Sequence, residues 1–293
     1  MPDLMHIDGA FMPPSEGRVS AEDRGFNFAD GIYEVIRVYG GQTFAMREHL
    51  ERLERSASGL DLELPHSVEQ FEDLCREMID RSGLREALIY MQVTRGAAPR
   101  GHICAEDLRP TVMMFIREAR PQPRAWREEG AMALPQPDIR WSLCHLKTIA
   151  LLPNVLAKNR AWRAGGVEAL FHERDGTVTE GSATNAYALR GGEIWTAPVG
   201  PKVLPGITRG VILGLAEEMG LRPHEEALTL AEFEGADEVI MSATNLEILP
   251  VVRLGEKTIG AGRPGPMYRR IHESYRERVK QACGLGELVP ISR

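Results

Sequence analysis

Lys147 and Glu180 are the residues whose types and surroundings point to covalent chemistry. Lys147 lies in the run from Arg140 to Leu152, and the residues just after it are mostly apolar. A lysine beside an apolar stretch loses part of its hydration, which disfavours the ammonium and frees the amine to attack a carbonyl. Thirty residues on begins an acid-and-hydroxyl run, Thr177 to Asn185, with Glu180 at its centre. A glutamate held near such an amine can bind the ring nitrogen of an aldehyde cofactor. The pair suggests Schiff-base chemistry on pyridoxal phosphate.

A phosphate on that cofactor calls for backbone N–H groups at a helix start, with hydroxyls and an arginine. The run Leu204-Pro205-Gly206-Ile207-Thr208 fits that need. Its Pro-Gly turn delivers the chain, Gly206 permits close approach, and the amides of Ile207 and Thr208 point at an anion. Thr244, in Ser242-Ala243-Thr244, is a second hydroxyl after an expected strand, and Arg52 is a candidate counter-charge. Arg100 and His102 lie on a Gly/Pro-rich loop. Read singly, each has an ordinary alternative. Lys147 reads as a snorkelling surface lysine, Glu180 as a turn or cap residue, and Arg52 as a solvated helix pair. The Gly206 run reads equally as a capped helix end, and Arg100 and His102 as solvated loop charges. His102 with Cys104, and Cys144 with His145, lack a second ligand pair at suitable spacing, so no metal is expected.

The elements that must position these groups follow from pattern. Asp8-Gly9, Gly40-Gly41 and Gly191-Gly192 separate short apolar runs and read as hairpins. Gly31 to Tyr39 alternates as a strand, and residues 47–60 place Leu50, Leu53, Ala57 and Leu60 at helical spacing. Ser67 with Gln70 predicts a capping box opening a helix that carries Phe71, Leu74 and Met78. Strands follow at 87–93 and 111–116. Residues 117–124 combine two prolines with charge and no apolar pattern. The reading is an N-terminal α+β domain over 1–117, a linker over 118–124 and a C-terminal cofactor-binding domain over 125–293. Within the last, helices are expected at 153–164, from near Gly206 and from about Gly265, with a strand at 167–172. Hairpins outnumber βαβ units, so a doubly wound fold is not expected.

The chain has 293 residues, enough for roughly two domains of ~150 residues and a full core. With 43% hydrophobic and 26% charged residues it reads as an ordinary soluble enzyme. A net charge of −7 with scattered basic residues argues against nucleic acid or an anionic membrane as partner. Four separated cysteines, Cys75, Cys104, Cys144 and Cys283, fit reduced thiols. The N-terminus shows no secretory signal, and no apolar run reaches the ~18 residues of a membrane span. A cytoplasmic enzyme is expected.

Taken together the motifs resemble a known family. Arg24 to Glu34, Glu48 to Leu53, Lys147, Thr179-Glu180-Gly181-Ser182, Gly206-Ile207-Thr208-Arg209 and Ser242-Ala243-Thr244 fall in the order found in fold-type IV pyridoxal-phosphate enzymes. Those are the D-amino acid and branched-chain aminotransferases and the aminodeoxychorismate lyases. The resemblance spans residues 7–280. It implies an α+β, two-domain fold with mixed sheets, a barrel-like C-terminal domain and flanking helices. It further implies pyridoxal 5'-phosphate held covalently by Lys147, with Glu180 on its ring nitrogen. Arg52, Ser182, Ala183, Leu204, Gly206, Ile207, Thr208, Ser242, Ala243 and Thr244 would complete the cofactor site.

Within that family two features look most like D-amino acid aminotransferases. Tyr33-Glu34-Val35 stands where branched-chain enzymes carry Phe-Glu-Gly, and Arg100-Gly101-His102 resembles a pair binding the substrate α-carboxylate with Tyr33. By resemblance that pair reaches the site from the partner subunit of a homodimer. Ala183 departs from the pattern, standing where D-specific members often have a second serine. The expected reaction is transamination between a D-amino acid, of D-alanine or D-glutamate type, and a 2-oxo acid. Alternatives on the same scaffold are an L-branched-chain aminotransferase, an (R)-amine transaminase and an aminodeoxychorismate lyase. A non-catalytic binding or scaffold protein would need neither Lys147 nor Glu180.

Overall fold

A computed structural model describes residues 3–105, 107–286 and 288. Met1 and Pro2, where the signal-free N-terminal reading begins, and residues 289–293 at the end of the expected second domain lie outside them. The chain forms two compact units. One takes residues up to 120 together with Leu146–Ala150 and residues 282–288; the other takes 121–145 and 151–281.

The first unit contains β1 (Leu4–Ile7), β2 (Ala10–Met12), α1 (Arg24–Phe28), β3 (Gly31–Tyr39), β4 (Gln42–Thr43), α2 (Met46–Ser58), α3 (Val68–Ser82), β5 (Ala87–Thr94) and β6 (Thr111–Glu118). Its six strands form one antiparallel sheet in the order β2-β1-β6-β5-β3-β4. Period-2 alternation turns Ile32, Ile36, Ile89, Met91, Val112 and Met114 into the core, where they meet Leu50, Leu53, Phe71 and Met78 of α2 and α3. The hairpins at Asp8-Gly9 and Gly40-Gly41 form as expected. So does the box at Ser67: its hydroxyl accepts from the Gln70 amide at 3.3 Å, and the Gln70 side chain accepts from the Ser67 amide at 2.8 Å.

One position on the core face of β3 breaks the apolar pattern. Glu34 has no exposed surface, so its charge must be matched inside the protein. Arg52 donates to it twice, Nε to Oε1 at 2.7 Å and Nη2 to Oε2 at 2.9 Å, and His49 Nδ1 lies 2.8 Å from Oε2. Burial opposes ionisation of Glu34, but Arg52 and His49 hold its carboxyl far below the usual carboxylate range. Burial pushes His49 the other way, below the ordinary imidazole value, against the pull of Glu34.

The edge of β3 is open at its N-terminal half, because β4 pairs only with Val38 and Tyr39. The segment around Lys147 adds there. Tyr33 N–H donates to the Lys147 carbonyl at 2.9 Å, and Ile149 N–H donates to the Gly31 carbonyl at 3.1 Å. The Lys147 amide itself donates to Ser56 Oγ of α2 at 3.0 Å. This short segment therefore runs with the first unit, although its sequence number falls within 125–293.

The second unit contains α4 (Arg124–Glu128), β7 (Ala131–Pro137), α5 (Leu152–Arg163), β8 (Glu168–His172), β9 (Val178–Gly181), β10 (Asn185–Arg190), β11 (Glu193–Thr196), α6 (Ile207–Glu218), β12 (Arg222–His224), α7 (Leu230–Glu234), β13 (Glu238–Ala243), β14 (Glu247–Leu254), β15 (Lys257–Thr258) and all but the last two residues of α8 (Pro266–Cys283). Its mixed sheet runs β12-β11-β10-β13-β14-β7-β8-β9, with β15 beside β14. β9 and β10 stand apart in that order, separated by β13, β14, β7 and β8, yet three residues join them in sequence. The sheet must curl to bring them together, which makes it barrel-like. The turn that closes it, Ser182–Thr184, is fastened by the Gly181 amide donating to the Thr184 carbonyl at 2.7 Å.

Arg52→Met should strand the buried Glu34 charge and cost about 3–5 kcal/mol of stability. The double variant E34L/R52M should recover most of that loss. Urea denaturation of the cofactor-free proteins, read as a double-mutant cycle, checks this.

Candidate active site

The alternation that buries Glu34 turns its neighbour Tyr33 to the opposite face of the sheet. There the Lys147 amine sits 4.3 Å from the centre of the Tyr33 ring. Among the described residues no hydrogen bond or ion pair engages that amine, which leaves it half-buried over an aromatic face. Tyr33 is braced in turn. It stacks on Tyr90 at 5.7 Å, and Tyr90 stacks on Phe115 at 4.9 Å. Arg52 belongs to the same unit and is buried, not solvated, with Glu34 fixing its plane.

Arg100 and His102 are exposed on the loop after β5. Gly96 starts that loop at φ +101°, where any Cβ would collide with the Arg109 carbonyl. The buried Arg24 holds the loop from below, donating to the Gly101 carbonyl at 2.7 Å and to Asp30 at 2.8 Å. Phe28 is the platform for both candidates. The Arg100 guanidinium lies 5.0 Å from its ring centre, and the His102 ring meets it edge-on at 5.6 Å. No hydrogen bond, ion pair or ring contact joins either residue to Tyr33 or Lys147 among the described residues.

In the second unit Glu180 lies buried on β9, one residue before the strand ends at Gly181. Each carboxylate oxygen is engaged. Oε1 accepts from Arg140 Nη1 at 2.5 Å; Oε2 accepts from the Leu204 amide at 3.0 Å and from Asn185 Nδ2 at 3.2 Å. Burial pushes the Glu180 carboxyl up to about 7, against the opposing pull of Arg140 and the Leu204 amide. A buried acid that exchanges a proton near neutrality suits a partner for a basic ring nitrogen.

The same amide side chain ties this acid to the helix start expected for phosphate. Asn185 Nδ2 also donates to the Leu204 carbonyl at 3.0 Å, two residues before Gly206. Gly206 is the N-cap of α6 and provides no side-chain cap, so the first-turn amides point outward without one. A Cβ at Gly206 would strike the Asn185 amide oxygen, so the close approach demands glycine here. Thr208 is buried in the first turn, and Ile207 and Leu204 are half-buried. Uncapped amides and a threonine hydroxyl as donors, with an acid behind them as acceptor, fit a phosphorylated pyridine.

The other candidates stand nearby in the chain with different partners. Ser182 donates a short bond to the buried Glu168, which also takes Lys158 Nζ at 2.9 Å. Ser242 shares a 2.8 Å bond with the Tyr187 hydroxyl. Ala183 is exposed in the closing turn, Ala243 ends β13, and Thr244 opens the following turn. Sequence reasoning assigned no role to Arg140, Asp138 or Asn185. Nothing local marks them, since their importance lies in what folding brings against them. Arg24 and Asp30 stood inside the family motif without a role.

Comparison with known proteins identifies the family. The family described as Amino-transferase class IV matches residues 31–254. A D-alanine aminotransferase of Staphylococcus aureus (strain N315) is 41% identical over 279 residues, 95% of this chain and 98% of that protein. One from Staphylococcus haemolyticus is 41% identical over 94% of this chain and 97% of its own. Among solved structures, a branched-chain amino acid aminotransferase from Escherichia coli superposes with a TM-score of 0.89 at 25% identity, covering 99% of both chains. The T.th. branched-chain enzyme with pyridoxamine 5'-phosphate gives 0.88 at 27%, covering 99% of this chain and 98% of that one.

Because burial raises the Glu180 value in the folded protein, the fold binds a proton that the unfolded chain releases near 4.5. Cofactor-free protein should therefore lose stability, relative to Glu180→Gln, as pH rises from about 4.5 to about 7, and the gap should stay constant above. Denaturation midpoints of both proteins across that range test the sign. Gly206→Ala should weaken binding of pyridoxal phosphate at least about tenfold, or ~1.4 kcal/mol, in a calorimetric titration.

Proposed function

We propose, because the chain belongs to the class IV aminotransferase family, that it exchanges the amino group of a D-amino acid with a 2-oxo acid. The observation that carries the D-specific reading is the 41% identity to D-alanine aminotransferases over 95% of the chain. Identity to the superposed branched-chain enzymes is 25–27%. Pyridoxal 5'-phosphate is the cofactor, and when bound it supplies the electron sink that lets a bond at the substrate α-carbon break.

The placement of this chain's residues supports a role for each. Lys147 is the amine that anchors the cofactor and, once released, takes the α-proton on Nζ and returns it. Its position over the Tyr33 ring, with no hydrogen bond or ion pair on its amine among the described residues, supports that role. Glu180 accepts the ring-nitrogen proton in a charge-assisted hydrogen bond. The amide of Ile207 with Thr208, Thr244 and Arg52 takes the phosphate, while Ser182, Ala183, Leu204, Gly206, Ser242 and Ala243 line the cofactor site.

Tyr33, Arg100 and His102 take the substrate carboxylate, with Arg100 and His102 offered by a second copy of the chain. A homodimer is supported by their exposure, by Phe26 and Ile103 at 80% and 93% exposed, and by an apolar stripe of Leu152, Val155, Leu156 and Trp162 on α5. Arginine suits this task because its planar fork binds a carboxylate at two points and fixes the substrate's plane. No helix among the described residues is long and apolar enough to cross a membrane. All four cysteines are unpaired, which supports a reducing, cytoplasmic setting.

The likeness to branched-chain enzymes favours one second reading, an L-branched-chain aminotransferase. A half-reaction panel of D-alanine, D-glutamate, L-leucine and (R)-1-phenylethylamine, followed by bleaching of the cofactor's visible band, separates the two. D-alanine and D-glutamate should bleach it; selective bleaching by L-leucine would overturn the D-specific reading. Borohydride should fix the cofactor to Lys147 in a peptide map. Lys147→Ala should lower turnover at least about 10³-fold.

A further inference from the structure

The acid on β9 is not held alone. Arg140 is buried and clamped by Asp138, which accepts from its Nε at 3.0 Å, its Nη2 at 2.7 Å and its backbone amide at 3.0 Å. Nη2 also donates to the Lys202 carbonyl at 2.8 Å, and the guanidinium lies 4.5 Å from the centre of the Phe171 ring. Only Nη1 turns to Glu180. Asp138 is itself fixed by the Thr179 hydroxyl at 3.0 Å, one residue from Glu180 along β9. One guanidinium thus serves two carboxylates, and Asp138 takes the larger share.

We propose that Asp138 and Arg140 are positioning residues that act in opposite directions on how firmly Glu180 holds a proton, and through it on the bound cofactor's ring nitrogen. The cluster of one cation and two buried carboxylates carries a net negative charge when both acids ionise. Asp138 keeps its ionised form: burial opposes it, but Arg140 holds its carboxyl below the usual range. Glu180 is then the carboxylate on which a proton relieves the excess charge, in keeping with its value near 7. The other titratable groups facing it are Cys144, pushed up to about 11 by burial, and Tyr187, whose burial keeps its hydroxyl protonated. Lys202 approaches Asp138 at 3.9 Å from the far side. None of these supplies a second cation in contact with Glu180.

A scaffold role alone would move Glu180 the same way whichever partner is removed. The charge balance demands opposite movements. Arg140→Met removes the cation and should raise the Glu180 titration midpoint by about one unit or more. Asp138→Asn frees the cation for Glu180 and should lower it by a comparable amount.

The experiment is a ¹³C NMR titration of cofactor-free protein carrying ¹³Cδ-glutamate, with Glu180→Gln assigning the resonance. Opposed shifts support the proposal; shifts in one direction, or midpoints unmoved within about 0.3 units, overturn it. If Arg140→Met does not fold, Arg140→Lys is read in its place and should give a smaller upward shift. The step to the ring nitrogen rests on the proposed role of Glu180 and is read separately, by ¹⁵N NMR of ring-labelled pyridoxal phosphate in wild type and Asp138→Asn. A Glu180 midpoint that moves while the ring nitrogen stays indifferent would leave the tuning intact and remove Glu180 from the ring.

Discussion

A carboxylate taken out of water must be met by donors that cannot move away, and that requirement organises both units of this chain. Glu34 occupies a position on β3 that the strand's alternation reserves for apolar side chains. Its charge is tolerable only because α2 presents His49 and Arg52 on one face, three residues apart. Ser56, one turn further along that face, then receives the Lys147 amide. The helix that neutralises a buried acid is thereby the helix that seats the Lys147 backbone.

Glu180 poses the same problem with a different solution. Its donors come from the loop after β7, from β10 and from the loop before α6, so three separated segments are held to one carboxylate. Asn185 also fixes the approach to α6, so the acid and the uncapped helix start share one side chain. Moving either would disturb the other. A buried acid kept this way needs little reorganisation when charge shifts beside it.

Much of the scaffold was legible because its causes are local. The strand from Gly31 to Tyr39, the box at Ser67 and the glycine-pair hairpins each depend on residues within a few positions of one another. The helix after Gly206 was legible for the same reason. Partners were harder to read. The family resemblance placed Ser182 and Ser242 at the cofactor site, and the fold shows their hydroxyls bonded to Glu168 and Tyr187. Arg52 read equally as a solvated helix residue, because nothing in its own helix announces that β3 will bring a buried carboxylate against it.

Residue chemistry and order along the chain were set by the sequence alone: a lysine before an apolar run, an acid among hydroxyls, a Pro-Gly turn opening a helix. Those signals act over a turn or a pleat, so they survive without a fold. Only the tertiary structure decided that Lys147 joins the open edge of β3, 91 residues from the serine that receives its amide. It also decided that Arg140 divides one charge between Asp138 and Glu180, the latter 40 residues away. Charge balance among buried groups depends on distance and desolvation, and neither exists until the chain has packed.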